Sequence, residues 1–245
     1  MRGNSVKLQG KTILLTGGTD GIGLRLARQL REKGAMLIVT GRNPERITAA
    51  EAEGFEVIPA DLAGPDGIAA VIAGLGGRAI DILINNAGMG ADHDFRVAPP
   101  VPEDDERTLW LNLHAPIRLI AALMPVLRAR PEAMIVNVTS GLAIAPSAGA
   151  PLYCATKAAL RSYTQGLRAQ LKGTGILVLE ALPPVVDTAM TAGRGNKKLS
   201  PEECARQIIA AMETGKDEAN VGMVKVLRAV YSLSPALARS IMLRF

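Results

Sequence analysis

A glycine-rich turn between an apolar strand and a helix most constrains how this chain can fold. The turn, residues 16–23, follows the apolar run at 13–15 and precedes a helical pattern over 24–33. Glycine has no Cβ, so the backbone N–H groups are open to a ligand, and the positive end of the helix dipole attracts an anion. The turn predicts a dinucleotide pyrophosphate site, although a turn that only packs a helix closely on a sheet has the same glycine spacing. The residues predicted to form the site are Gly17, Thr19, Gly21, Ile22 and Gly23.

Apolar strands alternate with helices along the rest of the chain. After the strand at 12–16, further strands are predicted at residues 36–40, 55–59, 80–84, 134–138 and 176–181, with a short seventh at 221–227. Long helical patterns at 102–129 and 152–171 separate the later strands. This order predicts an α/β fold, a Rossmann-type doubly wound parallel sheet of about seven strands with helices on both faces. No linker divides the chain, so 1–245 is predicted to be a single domain.

Ligands bind to such sheets at the carboxyl ends of the strands. Arg42 follows the second strand, where an acid would bind the adenosine ribose 2′-hydroxyl and an arginine would accept a 2′-phosphate. The sequence therefore favours NADP(H) over NAD(H), unless Arg42 is only an exposed loop charge. Small or polar residues lie at all of these ends: Gly17, Arg42, Asp61, Asn86, Ser140 and Pro183.

Tyr153 and Lys157 are spaced to share one helix face. An ammonium beside a phenol favours the phenolate and lowers its pKa, which suits the phenol to acid/base work. By itself this spacing also describes an ordinary pair on a helix surface.

Taken together, these motifs resemble the short-chain dehydrogenase/reductase family over nearly the whole chain. The motifs that carry the resemblance are TGxxxGIG at residues 16–23, Asp61, NNAG at 85–88, Asn112, Ser140, YxxxK at Tyr153 and Lys157, and a PGxxxT variant at 183–188. The C-terminal segment and Pro183-Pro184 are further similar to a bacterial branch named for a teichoic acid D-alanylation locus.

The resemblance implies an oxidoreductase that interconverts a carbonyl and an alcohol with a nicotinamide cofactor. Tyr153 would exchange a proton with the substrate oxygen, Ser140 would polarise that oxygen, and Lys157 would bind the nicotinamide ribose and lower the tyrosine pKa. Asn112 would hold a water that links Lys157 to solvent, and Thr188 would contact the carboxamide. The other cofactor contacts implied are Asp61, Leu62, Asn86 and Val186.

Two residues depart from the family pattern. Pro184 replaces a glycine and removes an N–H donor, and Asp20 stands where NADP-dependent relatives often have a base. Two other functions are considered. A nucleotide-sugar epimerase or dehydratase also uses YxxxK, but its usual glycine spacing is missing. A non-catalytic dinucleotide sensor would be expected to lack part of the Asn-Ser-Tyr-Lys tetrad, which is complete here.

Composition and pattern limit the partners. Aromatic residues make up 3% of the chain and the +5 net charge is scattered, which disfavours nucleic acid, and no His, Cys or carboxylate cluster has metal-ligand spacing. No leader or run of 18 apolar residues is found, so a cytoplasmic protein without membrane partners is predicted. A substrate lid is predicted at about 188–215, including Arg194, and an amphipathic terminal helix that includes Phe245. Family members usually pair through the helices that carry Asn112 and Tyr153, which implies a homodimer or homotetramer acting on a small carbonyl or alcohol.

Overall fold

In the part of the chain that the structure describes, seven parallel strands form one sheet, in the order β3-β2-β1-β4-β5-β6-β7. The structure is a computed structural model that describes residues 6–193 and 197–244, so Arg194 and Phe245 lie outside the described residues. The chain order reverses between β1 and β4, which lie side by side and leave a crevice at their carboxyl ends. The strands are β1 (Thr12–Leu15), β2 (Met36–Gly41), β3 (Glu56–Pro59), β4 (Ile82–Asn85), β5 (Ala133–Val138), β6 (Ile176–Leu182) and β7 (Glu218–Asn220).

Helices connect the strands and cover both faces of the sheet. They are α1 (Gly21–Glu32), α2 (Pro44–Ala52), α3 (Pro65–Leu75), α4 (Pro102–Leu109), α5 (Ala115–Arg128), α6 (Pro151–Gln170), α7 (Pro201–Glu213), α8 (Val224–Leu233) and α9 (Pro235–Met242). Proline at the first turn begins several of them, where its missing N–H costs no hydrogen bond. The predicted Rossmann-type sheet is confirmed.

Two apolar cores lie on opposite faces of the sheet. Successive side chains of β1 point into opposite cores. Ile13 and Leu15 join the core under α1 and α7, whereas Leu14 joins the core under α3, α5 and α6. All three side chains are fully buried. Strands buried on both faces therefore read as continuous apolar runs in the sequence.

The seventh strand was predicted at the wrong place. It is β7, Glu218–Asn220, a short polar edge strand, whereas most of the predicted segment forms α8. Gly222 has a φ of +52°, which turns the chain before α8. Val224 and Leu227 then pack inward at helical spacing, so the apolar residues of this segment follow a helix period rather than a strand period.

The C-terminal half of the predicted lid is part of the core. Helix α7 buries Cys204, Ala205 and Ile208 against the sheet and α1. A lid could therefore include only residues before Pro201. The first of them are held locally, because Thr188 and Thr191 cap a short helical turn with each other. The lid itself stays a prediction.

In the described part of the chain, one helical stretch is long and apolar enough to cross a membrane by length and composition. It is Pro102–Arg128, in which 39% of the apolar window is buried. The stretch packs Leu119, Ile120, Leu123 and Leu127 into a core of the sheet. These contacts are those of a helix that covers a sheet.

Candidate active site

The glycine turn has the backbone geometry that an anion site requires. Gly17 and Gly21 have φ values of +64° and +51°, which side chains disfavour. A Cβ on Gly23 would overlap the carbonyl oxygen of Gly17, so only glycine allows α1 to begin so close to the turn. Asp20 precedes α1 in an extended conformation, and its side chain does not cap the helix. The first N–H groups of α1 therefore face the cleft without a side-chain cap.

Hydrogen bonds hold the end of β4 against this turn. The side-chain amide of Asn86 donates to the carbonyl oxygens of Thr16 (3.0 Å) and Gly17 (3.2 Å). The Thr16 hydroxyl accepts from the backbone N–H groups of Asn86 and Ala87, both at 3.0 Å. Asn86 thus fixes the shape of the turn as well as lining the cleft.

Among the described residues, four charged side chains lie at the end of the cleft beside the carboxyl end of β2. Arg42 lies 3.5 Å from Asp61, and Arg46, in the first turn of α2, lies 2.7 Å from Asp20. Burial opposes ionisation of Asp61, but hydrogen bonds from Arg107 and the N–H of Ala63, with the charge of Arg42, lower its pKa. Asp20 therefore does not leave this end acidic, because Arg46 offsets it.

Arg46 is the functional candidate that sequence reasoning missed. It lines the same cleft as Arg42 and stands four residues later, across the N-terminus of α2. No local pattern singles out Arg46, because Arg42 lies before the helix and the place of Arg46 at the cleft depends on where α2 begins relative to the glycine turn.

Asn112 lies in a widened helical turn, Trp110–His114, between α4 and α5. It is fully buried, its amide donates to the carbonyl of Met89 at 2.9 Å, and its side-chain oxygen accepts from the N–H of Met89 at 2.9 Å. A second amide contact reaches the hydroxyl of Thr156 at 3.2 Å. Widened turns of this kind are frequent at functional sites. Here the turn places the side-chain oxygen of Asn112 close to Gly88, which also lies close to the Lys157 ammonium. A Cβ on Gly88 would lie 3.2 Å from that oxygen and 3.4 Å from the ammonium.

Lys157 is the buried cation of the site. Its ammonium donates to the carbonyl of Val138 at 2.9 Å and lies 5.8 Å from the centre of the Tyr153 ring. Burial lowers the pKa of Lys157 to about 8. A lysine with this pKa is largely charged at neutral pH, so it can favour the phenolate form of Tyr153.

Ser140 and Tyr153 lie at the boundary between two cavities. Both line the cleft that contains the glycine turn, and both also line an apolar cavity of about 420 Å³. Ser140 begins the helical turn Gly141–Ala143, and its hydroxyl oxygen accepts from the N–H of Leu142 at 3.1 Å. The N–H of Gly141 donates to the carbonyl of Pro183 at 2.9 Å, which holds the loop after β6 beside Ser140.

All of the predicted cofactor-contact residues line the first cleft, from Gly17 at one end to Thr188 at the other. Thr188 lies across the glycine turn, where a Cβ on Gly21 would be 3.2 Å from its methyl carbon. Pro184 lines both cavities, so the departure from glycine shapes the wall between them. Of the tetrad, Ser140, Tyr153 and Lys157 reach the cleft surface, and Asn112 lies behind it. Whether these residues bind cofactor stays a prediction.

The lowered pKa of Lys157 predicts a pH-dependent contribution to stability. Between about pH 8 and 10.5, the unfolded chain keeps a proton on Lys157 that the folded chain has released, so stability rises with pH. Lys157→Met lacks this contribution. Relative to the variant, the free energy of unfolding of wild type should therefore rise by on the order of 3 kcal/mol across that range.

Urea denaturation at stepped pH values measures this difference. Lys172→Met, at an exposed lysine just after α6, is the matched control and should follow the wild-type trend. Parallel pH curves for wild type and Lys157→Met would contradict a buried ammonium with a lowered pKa.

Comparison with known proteins gives a consistent picture. The model of the short chain dehydrogenase family matches residues 11–199. The chain is 36% identical over 233 residues to Uncharacterized oxidoreductase DltE of Bacillus subtilis, across 91% of this chain and 92% of that protein. It is 36% identical over 197 residues to serine 3-dehydrogenase of Rhizobium radiobacter, across 77% of this chain and 78% of that protein. Among solved structures, a short chain dehydrogenase from Burkholderia cenocepacia in complex with NADP has a TM-score of 0.85 and 26% identity, covering 97% of this chain and 99% of that one.

Proposed function

Because the chain belongs to the short chain dehydrogenase family of oxidoreductases, we propose that it interconverts a carbonyl and an alcohol with NADP(H), and that Tyr153 is the general acid and base. One observation carries the proposal. Ser140 and Tyr153 line both the glycine-turn cleft and the adjoining apolar cavity, with the Lys157 ammonium buried beside the Tyr153 ring. A substrate oxygen at that boundary could meet both hydroxyl groups.

The residues of the cleft fit a dinucleotide. The glycine turn supplies open N–H groups for the pyrophosphate. Because Gly23 has no Cβ, the start of α1 can lie close to the turn and therefore close to the pyrophosphate. Arg42 and Arg46 would meet a 2′-phosphate, and Thr188 and Val186 would lie against the nicotinamide end. The bound nicotinamide would supply or accept the hydride. The similar Burkholderia cenocepacia protein was solved with NADP, which supports the same cofactor here.

The protein's own groups would handle the proton. In reduction, the Tyr153 phenol gives its proton to the substrate oxygen while the Ser140 hydroxyl donates a hydrogen bond to that oxygen. Lys157, charged and buried, stabilises the resulting phenolate. Asn112, held to the backbone of Met89, keeps the helix turn in place behind Lys157. Oxidation reverses these steps.

Two alternative functions can be tested with the same protein. A dinucleotide sensor would bind NADPH and turn over no carbonyl, and an epimerase would convert a nucleotide sugar without net consumption of cofactor. The tetrad supports the oxidoreductase, because Ser140, Tyr153 and Lys157 line one cleft and Asn112 lies behind it. NADPH consumption with a panel of aldehydes and ketones tests the proposal, and the absence of turnover with every carbonyl would favour the sensor.

Arg42→Ala and Arg46→Ala should each weaken NADPH binding tenfold or more. A charge-assisted hydrogen bond contributes about 1.5–3 kcal/mol, which corresponds to this loss. NADH has no 2′-phosphate, so its affinity should change less than about threefold. Fluorescence titration of the purified variants with each cofactor gives both dissociation constants.

The control for this experiment is Arg128→Ala, which removes the same charge at the exposed end of α5, away from the cleft. It should leave both affinities unchanged. Equal weakening of NADPH and NADH by Arg42→Ala would reduce Arg42 to a general charge effect and remove the argument for NADP(H).

A further inference from the structure

From the second cavity, and resting on the proposed function, we propose that the substrate is an uncharged carbonyl or alcohol whose extended apolar group lies between the loop after β6 and the α8–α9 hairpin. The cavity has a volume of about 420 Å³, within the range of small-molecule sites. Ser140 and Tyr153 line this cavity, so a ligand in it can place its carbonyl or alcohol oxygen against these two hydroxyl groups.

The wall opposite the tetrad consists of aliphatic side chains from the last two helices. Val226 and Val230 of α8 and Ile241 and Met242 of α9 line it. Among them, Val226 and Ile241 are 53% and 41% exposed. Large apolar side chains left exposed together mark an interaction surface, and around a cavity of this volume a ligand groove is such a surface.

The same hairpin is anchored by buried residues that also line the cavity, so the wall has a defined position. Val224 is 2% exposed and packs with Ile144 and Leu182, and Ala238 is fully buried. A Cβ on Gly141 would come within 2.8 Å of a Val224 methyl, which shows how closely α8 sits against the turn after Ser140. The exposed apolar side chains of the hairpin are thus held in the wall of the cavity that Ser140 and Tyr153 also line.

The cavity offers little to a charged substrate. No charged residue lines it within the parts of the chain that the structure describes. Its polar side chains are Ser140, Tyr153 and Thr191, and the Thr191 hydroxyl donates to the carbonyl of Val186 at 2.5 Å. An amino acid or keto acid would have to bury an ionised group here without a partner, which is costly. An alkyl or aryl group would instead bury apolar surface against the wall.

A chain-length series tests the inference. With NADPH, kcat/KM for 2-alkanones from 2-butanone to 2-decanone should rise by up to about fourfold for each added methylene that enters the cavity. Serine with NADP and short keto acids with NADPH should be turned over at least a hundredfold less well than 2-decanone. A second readout needs no turnover: alkan-2-ols should displace the neutral dye Nile red from the protein with the same chain-length order.

Variants of the hairpin locate the effect. Val230→Asp should flatten the chain-length series and weaken Nile red binding tenfold or more, while the dissociation constant for NADPH stays within twofold of wild type. Val230→Thr, which keeps the shape and adds a hydroxyl, should flatten the series and weaken Nile red binding to a smaller extent. It provides the test if the aspartate variant folds poorly. The control is Leu233→Asp, at the 89%-exposed end of α8 outside the cavity, which should behave as wild type.

The outcomes separate this inference from the proposed function. Turnover that is flat with chain length, or best with charged substrates, overturns the inference and leaves the oxidoreductase standing. Nile red displacement with chain-length order but no turnover of any carbonyl supports the apolar cavity and overturns the proposed reaction. If Val230→Asp changes the oligomeric state on size exclusion and leaves the series unchanged, the wall is an interface between copies of the chain, and the inference fails.

Discussion

Tyr153→Phe should lower kcat by a hundredfold or more and leave NADPH affinity within about twofold of wild type. The substitution removes only the phenolic oxygen, so the ring keeps its place 5.8 Å from the Lys157 ammonium. Without that oxygen, the substrate oxygen has no adjacent acid, and general acid catalysis contributes about 10² to 10⁴ in rate. Steady-state kinetics with a turned-over carbonyl, together with a cofactor titration, measures both quantities.

Tyr163→Phe on the same helix is the matched control. Tyr163 packs against the core under α5 and α6, and burial raises the pKa of its phenol. Its removal should leave kcat within about twofold of wild type. Unchanged turnover in Tyr153→Phe would remove Tyr153 from the mechanism, and a joint loss of turnover and NADPH binding would mean that the variant had damaged the cleft rather than the proton transfer.

The buried strands could be predicted from the sequence because burial on both faces leaves continuous apolar runs. β1, β4 and β5 are of this kind, and their predicted positions differ from the structure by one or two residues. β7 has no such signal, because Glu218, Ala219 and Asn220 form an edge strand whose glutamate pairs with arginines. The apolar segment after it was therefore the stronger strand candidate, although it is a helix that lines a cavity.

The site was predictable where chemistry requires a fixed spacing and not where it depends on tertiary contacts. The glycine turn and the Tyr153–Lys157 pair are local patterns, and the structure brings them to one cleft. Arg46 lies at the cleft only because α2 begins beside the glycine turn, where its guanidinium is 2.7 Å from the carboxylate of Asp20. This contact joins the loop after β1 to the start of α2. The widened turn around Asn112 is likewise invisible in the sequence, which reads as one continuous helix.

The largest loss of stability is expected from Arg161→Leu. Arg161 is 8% exposed, and its guanidinium lies 2.6 Å from the fully buried carboxylate of Glu180 and 2.9 Å from that of Glu218. Glu180 also accepts a 2.7 Å hydrogen bond from Thr139, the residue before Ser140. Removal of Arg161 leaves a buried carboxylate without its cation, which costs about 3–5 kcal/mol in free energy of unfolding.

Urea denaturation of two further variants isolates the charge from the packing. Arg168→Leu, two turns further along α6, loses hydrogen bonds to two carbonyl groups and a 3.6 Å ion pair with the exposed carboxylate of Asp217. It should cost about 1.5–3 kcal/mol, less than Arg161→Leu, because it leaves no buried carboxylate without a cation. In the double variant Arg161→Leu/Glu180→Leu the unpaired charge is gone, so most of the stability should return. A double variant as unstable as Arg161→Leu would mean that side-chain volume, and not the charge, causes the loss.

The pH dependence of the same variant gives an independent test of this explanation. Burial raises the pKa of Glu180 even in the presence of hydrogen bonds from Thr139 and Arg161. Without Arg161 that pKa rises further, so the folded variant binds a proton that the unfolded chain has released, and its stability falls as pH rises through the folded pKa. The deficit of Arg161→Leu should therefore be smallest near pH 5 and grow towards pH 8. A deficit that is constant over this range would show that Glu180 is not the group left unpaired.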